Sequence, residues 1–256
     1  IISNHITTIL LSSLNLNLIF FYLNHISYNN IYEQFMNKIN FSFRPLEHQK
    51  SSIAKMKNIE NNMINFSDIK VRSKIGILTD PKNSGKKTTM SYFLKRCNPL
   101  KNVPFEYSNN NLISVRYLNE KFFHVNIIIA NNSDIKKWQY IDKYTNLGAL
   151  FFMKSIEIEI NNCKFKKNST IILNYNKFKE LDQKLNYPKW NRIIIDSPEK
   201  CKKEIDNFWK SNFIWFITNC PDLLYFSKIK SFSYLFNNLP NYCFELIIVK
   251  NNINNL

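Results

Sequence analysis

Glycine is almost missing from this chain, with 3 residues in 256 against an average usage of roughly 7%. That scarcity excludes collagen-like and glycine-rich linker sequences. It also argues against an all-β protein built on tight hairpins, whose turns need glycine. Acidic residues are short as well: Asp plus Glu is 19 against 35 for Lys plus Arg, a formal charge of +16. Cys97, Cys163, Cys201, Cys220 and Cys243 are odd in number and widely spaced. They form no C-x-x-C or Cys/His pair, so neither a zinc site nor a disulfide framework is expected. A reducing, cytoplasmic setting fits this cysteine usage.

Long hydrophobic runs are lacking too. Residues 6–23 are apolar but broken by Ser12, Ser13, Asn15 and Asn17. A membrane span wants about 20 mostly apolar residues, and the stretch lacks the basic start and cleavage site of a signal peptide. No methionine precedes Met36. Residues 1–35 are therefore expected to be an upstream segment outside the domain, with a buried helix or a membrane anchor as alternatives. A membrane partner is disfavoured.

What the chain does contain is apolar material for a sizeable core: 45% hydrophobic and 15% aromatic residues. The positive charge favours a polyanionic partner, nucleic acid first. Arginine is confined to Arg44, Arg72, Arg96, Arg116 and Arg192. Arginine is the better bidentate reader of bases, so a lysine-dominated charge points to phosphate attraction rather than sequence reading. Lysine, asparagine and isoleucine over-use also marks an A/T-rich coding sequence, for which a merely solvated basic surface is the plainer account.

Residues 46–63 carry Ile53, Met56, Ile59 and Met63 at helical spacing. Short apolar runs follow at 75–78, 125–130, 156–160, 170–173, 193–195, 213–217 and 244–249. Most are continuous, as in parallel strands covered on both faces. Helix-like stretches lie at 88–95, 134–144, 177–185 and 199–209. Strands alternating with helices predict an α/β domain with a mostly parallel sheet over residues 41–250. Asparagine-rich stretches at 109–111 and 251–256 read as loop and tail.

The most informative stretch is GILTDPKNSGKKTTMSYFL, residues 76–94. An apolar strand enters a turn-prone loop, then Gly85-Lys86, then a helix. This is the setting of a phosphate-binding Walker A loop, G-x-x-x-x-G-K-[ST]. Gly85 would let the backbone close on a phosphate. Lys86 would reach the β- and γ-phosphates, and the helix N-terminus would aim its N–H groups at them. Asp80 stands in place of the first glycine. Lys87 stands where a hydroxyl normally ligates Mg²⁺, with Thr88 and Thr89 one and two residues late. A lysine-rich helix start after a turn is the plainer reading of the same residues.

Four further segments occur in order: FRPLEHQKSSIAKM (43–56), NIIIANNSDIKKWQYI (126–141), KWNRIIIDSPEK (189–200) and FIWFITNCPDLL (213–224). With the loop, they resemble the first RecA-like lobe of superfamily 2 helicases. The look is that of the Swi/Snf-like ATPases and helicases of large cytoplasmic DNA viruses. The resemblance implies a three-layer RecA-like lobe using ATP and Mg²⁺. Gln49 would bond the adenine edge. Asp80, Gly85, Lys86, Lys87 and Thr88 would line the phosphates. Lys136 and Lys137 would touch a nucleic-acid backbone; Trp138 by itself reads as a core anchor of its helix ahead of a base-stacking platform. Asp196 would hold Mg²⁺ with Thr88. Ser197 replaces the family's glutamate, and Glu199 takes the last place of that box. Thr218 would couple the cleft to nucleic acid. By themselves, His48-Gln49 also read as a polar helix start, Asp196 as a helix cap, and Thr218–Pro221 as a strand ending in a turn.

The family's enzymes need a second lobe, and the last expected strand lies close to Leu256. Two outcomes are expected: an ATP-binding lobe incomplete or inactive alone, or a non-enzymatic pseudo-helicase acting as a nucleic-acid-binding or scaffolding subunit. A membrane-tethered factor rests only on residues 6–23.

Overall fold

Continuous apolar runs become the central strands of one sheet because alternate residues are buried on opposite faces. A computed structural model of the chain describes residues 44–61, 64–66, 69–71, 73–100, 122–162, 165–186, 188–201, 204–205, 208, 210–237 and 241–250. The chain divides between Ser42 and Phe43, and every described residue belongs to the second unit. The stretches 1–35, 109–111 and 251–256 lie outside the described residues.

The chain opens with α1 (Glu47–Asn61) and an antiparallel hairpin, β1 (Ile64–Phe66) and β2 (Ile69–Val71). There follow β3 (Ile75–Thr79), α2 (Lys86–Arg96), β4 (Phe122–Ile129), α3 (Asn132–Thr145), β5 (Leu150–Phe151) and α4 (Ile156–Asn162). Next come β6 (Thr170–Leu173), α5 (Tyr175–Lys184), β7 (Lys189–Asp196) and a 3₁₀ turn, Pro198–Lys200. Finally β8 (Ser211–Thr218), a second 3₁₀ turn (Pro221–Leu224), α6 (Lys230–Asn237), α7 (Asn241–Leu246) and β9 (Ile248–Lys250). Seven strands form one sheet in the order β5-β6-β4-β7-β8-β3-β9, and every pairing in it is parallel. This is an α/β fold with a parallel sheet flanked by helices, consistent with the expected RecA-like lobe.

The two faces separate by residue parity, as a pleated strand requires. Ile77, Ile127, Ile129, Ile193, Ile195 and Phe216 pack against α5, α6 and α7 through Phe178, Phe232, Phe236 and Phe244. Leu78, Ile128, Ile194, Trp215 and Ile217 pack against α1, α2 and α3 through Met56, Met90, Phe93 and Trp138. Both faces are covered, so the strands show no polar alternation.

One glycine is demanded by this packing. Gly76 pairs with Trp215 across β3 and β8, and a Cβ there would lie 2.3 Å from the Trp215 ring. The Trp215 indole donates to Glu60 Oε1 at 2.9 Å. Glu60 also accepts two hydrogen bonds from Arg192, both at 2.7 Å. This buried network ties α1 to the sheet.

Three sequence expectations are corrected. Residues 156–160, one of the short apolar runs expected to be strands, form α4. Ile156 is buried while Ile160 packs beside the same core, four residues on, which is one helical face. Glu159 also reaches back to accept the Lys154 N–H at 3.1 Å, and Glu157 and Glu159 suit the first turn of a helix. Residues 244–249 split into the end of α7 and a short β9, because only Ile248–Lys250 pair with β3. Residues 199–209 are not one helix: beyond Lys200, Glu204, Ile205 and Phe208 lie outside any helix. Glu204 instead spends its carboxylate on the N–H groups of Lys230 and Ser231 at the start of α6. No helix among the described residues is long and apolar enough to cross a membrane.

Candidate functional site

Parallel strands end at the same edge of a sheet, and α/β proteins bind ligands outside that carboxyl edge. Register sets Thr79 beside Thr218, Asp196 beside Ile217, and Ile129 beside Ile195. The residues that follow these strand ends therefore share one rim: Asp80, Asn131, Ser197 and the turn after Thr218.

The loop after β3 turns through two left-handed residues, Asn83 (φ 67°) and Gly85 (φ 85°). Gly85 is the N-cap of α2, and no side chain caps the helix there. The first turn of α2 carries no acidic residue. Its N–H groups and dipole thus face the loop without a carboxylate of the helix's own, as an anion site needs. Lys86 is buried, and its ammonium donates to the carbonyls of Asp80 (2.5 Å) and Pro81 (2.7 Å). Burial pulls the Lys86 pKa down from 10.5; Asp80 opposes this, and Lys87 adds to it. Ser84 Oγ is buried in the loop with no hydrogen-bond partner.

Gln49 meets the loop from α1. Its Oε1 accepts the Leu46 N–H at 3.0 Å, the backward bond of a capping box. The helix-start reading of Gln49 is therefore realised. Its Nε2 lies against Gly85, where a Cβ would approach within 2.8 Å. Gly85 is thus fixed both by its φ and by the amide above it.

Across the rim, Asp196 ends β7 with its carboxylate fully engaged. Oδ2 is ion-paired with Lys87 and accepts the Trp138 indole N–H at 2.9 Å. Oδ1 accepts from Ser197 at 3.2 Å, and the Asp196 carbonyl accepts from Tyr175 at 3.0 Å. Ser197 itself is left-handed, at φ 56°. Burial, with Cys201, Asp196 and Glu199 nearby, pushes the Tyr175 phenol up, so it stays a donor.

Lys87 also lies 3.4 Å from Asp134 and 5.6 Å from the centre of the Trp138 ring. Asp134 sits in the first turn of α3, capped by Asn131. Burial raises the Asp134 pKa, but Lys87, Lys200, Asn131 and Lys137 outweigh it and hold the carboxyl below 3.8. Lys137 and Lys200 approach it at 3.3 and 3.4 Å.

The structure places most of the candidate residues at this rim. Gln49, Asp80, Gly85, Lys86 and Lys87 gather at the loop, with Asp196 opposite. Thr218 donates to Glu199 at 3.0 Å and accepts the Cys220 N–H at 3.1 Å, joining the ends of β7 and β8. Lys136 is exposed on α3, whereas Lys137 is held to Asp134. Thr88 lies one residue past Lys87, about 100° further round the helix, and it is Lys87 that reaches Asp196. Asp134, Tyr175 and the indole bond of Trp138 were missed. Only the N-cap spacing of Asn131 and Asp134 was readable locally; their partners are remote in sequence.

The donor set fits Mg²⁺ poorly. Mg²⁺ wants an octahedron of oxygens at about 2.0–2.1 Å. Here an ammonium faces Asp196, and both carboxylate oxygens already have partners. No group of three His, Cys, Asp or Glu side chains among the described residues is placed to hold a metal ion. No family model and no curated protein matches the chain.

Proposed function

We propose that residues 41–250 form an ATP-binding lobe of the helicase type that holds nucleotide without turning it over. One observation carries this reading: the unit β3–loop–α2, with left-handed Gly85 capping an otherwise uncapped helix and buried Lys86 folded into the loop. A bound triphosphate would replace the two carbonyls as the partner of the Lys86 ammonium. Phosphate oxygens carry charge and would raise the depressed Lys86 pKa, a favourable exchange for a buried lysine. Gln49 would meet the nucleotide beside the loop, with its Nε2 as donor.

Hydrolysis of a phosphoanhydride needs an oriented water and charge neutralisation. Ser197 has no carboxylate to orient or deprotonate that water, and its hydroxyl is turned onto Asp196. General-base loss alone costs about 10²–10⁴ in rate. The lobe is therefore read as a nucleotide-dependent binding or scaffolding unit of the viral helicase type. Its charge of +16 and the exposed Lys136 support a nucleic-acid backbone as partner. A second helicase lobe belongs to the same proposal.

The test is equilibrium binding of ATP to the whole chain and to Lys86→Ala. Wild-type protein should bind, the variant should bind at least about tenfold more weakly, and neither should release phosphate steadily with nucleic acid present. Equal binding by both proteins would remove the loop from the reading. Nucleic-acid-stimulated hydrolysis lost on Lys86→Ala would return the chain to the working ATPases.

A further inference from the structure

The geometry points to Lys87 as a built-in cation that takes the place of the divalent metal, so that this lobe accepts a nucleoside triphosphate without Mg²⁺. The inference rests on the nucleotide-binding reading above and goes beyond it.

Lys87 directly follows Lys86, so its side chain leaves the same helix mouth that would hold the phosphates. It occupies the position whose hydroxyl would ligate metal in the resembled family. Its ammonium is ion-paired with Asp196 and lies 3.4 Å from Asp134. The side chains of these two carboxylates are only 1% and 2% exposed. Buried carboxylates need a cation close by, and here that cation is part of the chain. Trp138 donates to the same Asp196 oxygen and sets an aromatic face 5.6 Å from the ammonium, which also favours a positive charge there.

A lysine ammonium has three donors. One is donated to Asp196, Asp134 lies 3.4 Å from the ammonium, and donor capacity remains for a phosphate oxygen. A metal ion entering this position would have to displace an ammonium from its ion pair, or sit against it. The site thus holds one fixed positive charge where Mg²⁺ would bring two, and resists Mg²⁺ itself.

Two measurements on the whole chain test this. The first titrates wild-type protein with a methylanthraniloyl-labelled ATP, once in EDTA and once in excess Mg²⁺. The expected dissociation constants agree within about twofold. Tightening by tenfold or more with Mg²⁺ overturns the built-in cation and leaves nucleotide binding standing. Absence of binding in both buffers overturns the nucleotide reading and this inference together.

The second measurement uses terbium as a metal probe, with luminescence sensitised through Trp138. Lys87→Ala leaves Asp196 without its ammonium beside that indole, while Asp134 keeps Lys137 and Lys200, and should gain a terbium signal that wild-type protein lacks. Adding Asp196→Asn to the variant should abolish the gain. Equal signals from wild type and Lys87→Ala would overturn the inference. Lys87→Gln, which keeps a neutral donor toward Asp196, replaces Lys87→Ala should the alanine variant fail to fold, and the wild-type titration needs no variant at all.

Discussion

Glu60 on α1 and Arg192 on β7 meet in a two-point ion pair, with both bonds at 2.7 Å and both side chains 1% exposed. The pair ties α1, and with it Gln49, to the sheet beside the loop between β3 and α2. Arg192 spends a further donor on the Asn98 carbonyl at 3.1 Å, and Glu60 also accepts from Trp215. Glu60 and Arg192 are both buried, so this knot is shielded from water.

Breaking the pair from one side should therefore be costly. Glu60→Ala leaves a buried guanidinium without its counter-charge and the Trp215 indole N–H without its acceptor, and such an uncompensated buried charge costs about 3–5 kcal/mol. Urea unfolding should show a loss of this size, while replacing Glu60 and Arg192 together by methionine should cost less than Glu60→Ala. An equal or larger loss in the double variant would mean that the pair itself, rather than the orphaned charge, sets the stability.

Gly76 faces the Trp215 ring without room for a methyl group. Overpacking a filled core costs about 1–3 kcal/mol, and Gly76→Ala should lose that much. A smaller residue at 215 relieves the clash, so Gly76→Ala and Trp215→Leu should be strongly non-additive in a double-mutant cycle. Additive losses would show that the ring has space to move.

The pH dependence of Asp134 follows from its depressed pKa. Its unfolded value is near 3.8 and its folded value is lower. Between the two, the unfolded chain binds more protons than the folded one, so stability rises with pH there. The contribution is complete above about 3.8 and disappears as the pH falls through the folded value. The stability difference between wild type and Asp134→Asn should shrink in that acid range. A difference that stays constant from neutral pH into acid would contradict the ion pairs at this carboxylate.

Binding to nucleic acid should be steeply salt-dependent and indifferent to sequence, because lysine supplies most of the positive charge. Phosphate contacts release counterions, and affinity should fall sharply between about 50 and 200 mM salt. Lys136→Ala should weaken binding to all sequences alike and lower the salt slope by about 1 if Lys136 touches one phosphate. Filter binding to unrelated duplexes and single strands measures both. Strong preference for one sequence would count against backbone attraction.

Much of the fold was legible because its signals are local. Runs such as 125–130 and 193–195 read as doubly covered strands, since burial on both faces erases alternation. Gly85-Lys86 between a strand and a helix read as a phosphate-type loop, because few residues tolerate a left-handed turn at a helix start. Residues 156–160 misled because Ile-Glu-Ile-Glu-Ile satisfies a two-residue period; burial of Ile156, with Ile160 beside the same core, decided for the helix.

By itself, the sequence determined that a parallel α/β sheet would form, and that a loop ending in Gly85-Lys86 would stand at one strand's carboxyl end. Those properties follow from residue size, polarity and backbone freedom at neighbouring positions. Only the tertiary structure decided that Lys87 would pair with Asp196 and Asp134, that Trp138 would donate to Asp196, and that Gln49 would cap α1 while lying on Gly85. These partners come from separate elements, and parallel register brings the strand ends to one rim whatever their distance along the chain. Coulomb attraction in a buried site then selects the partner. It turned a residue that looked like a flaw in a motif into the cation at the centre of the site.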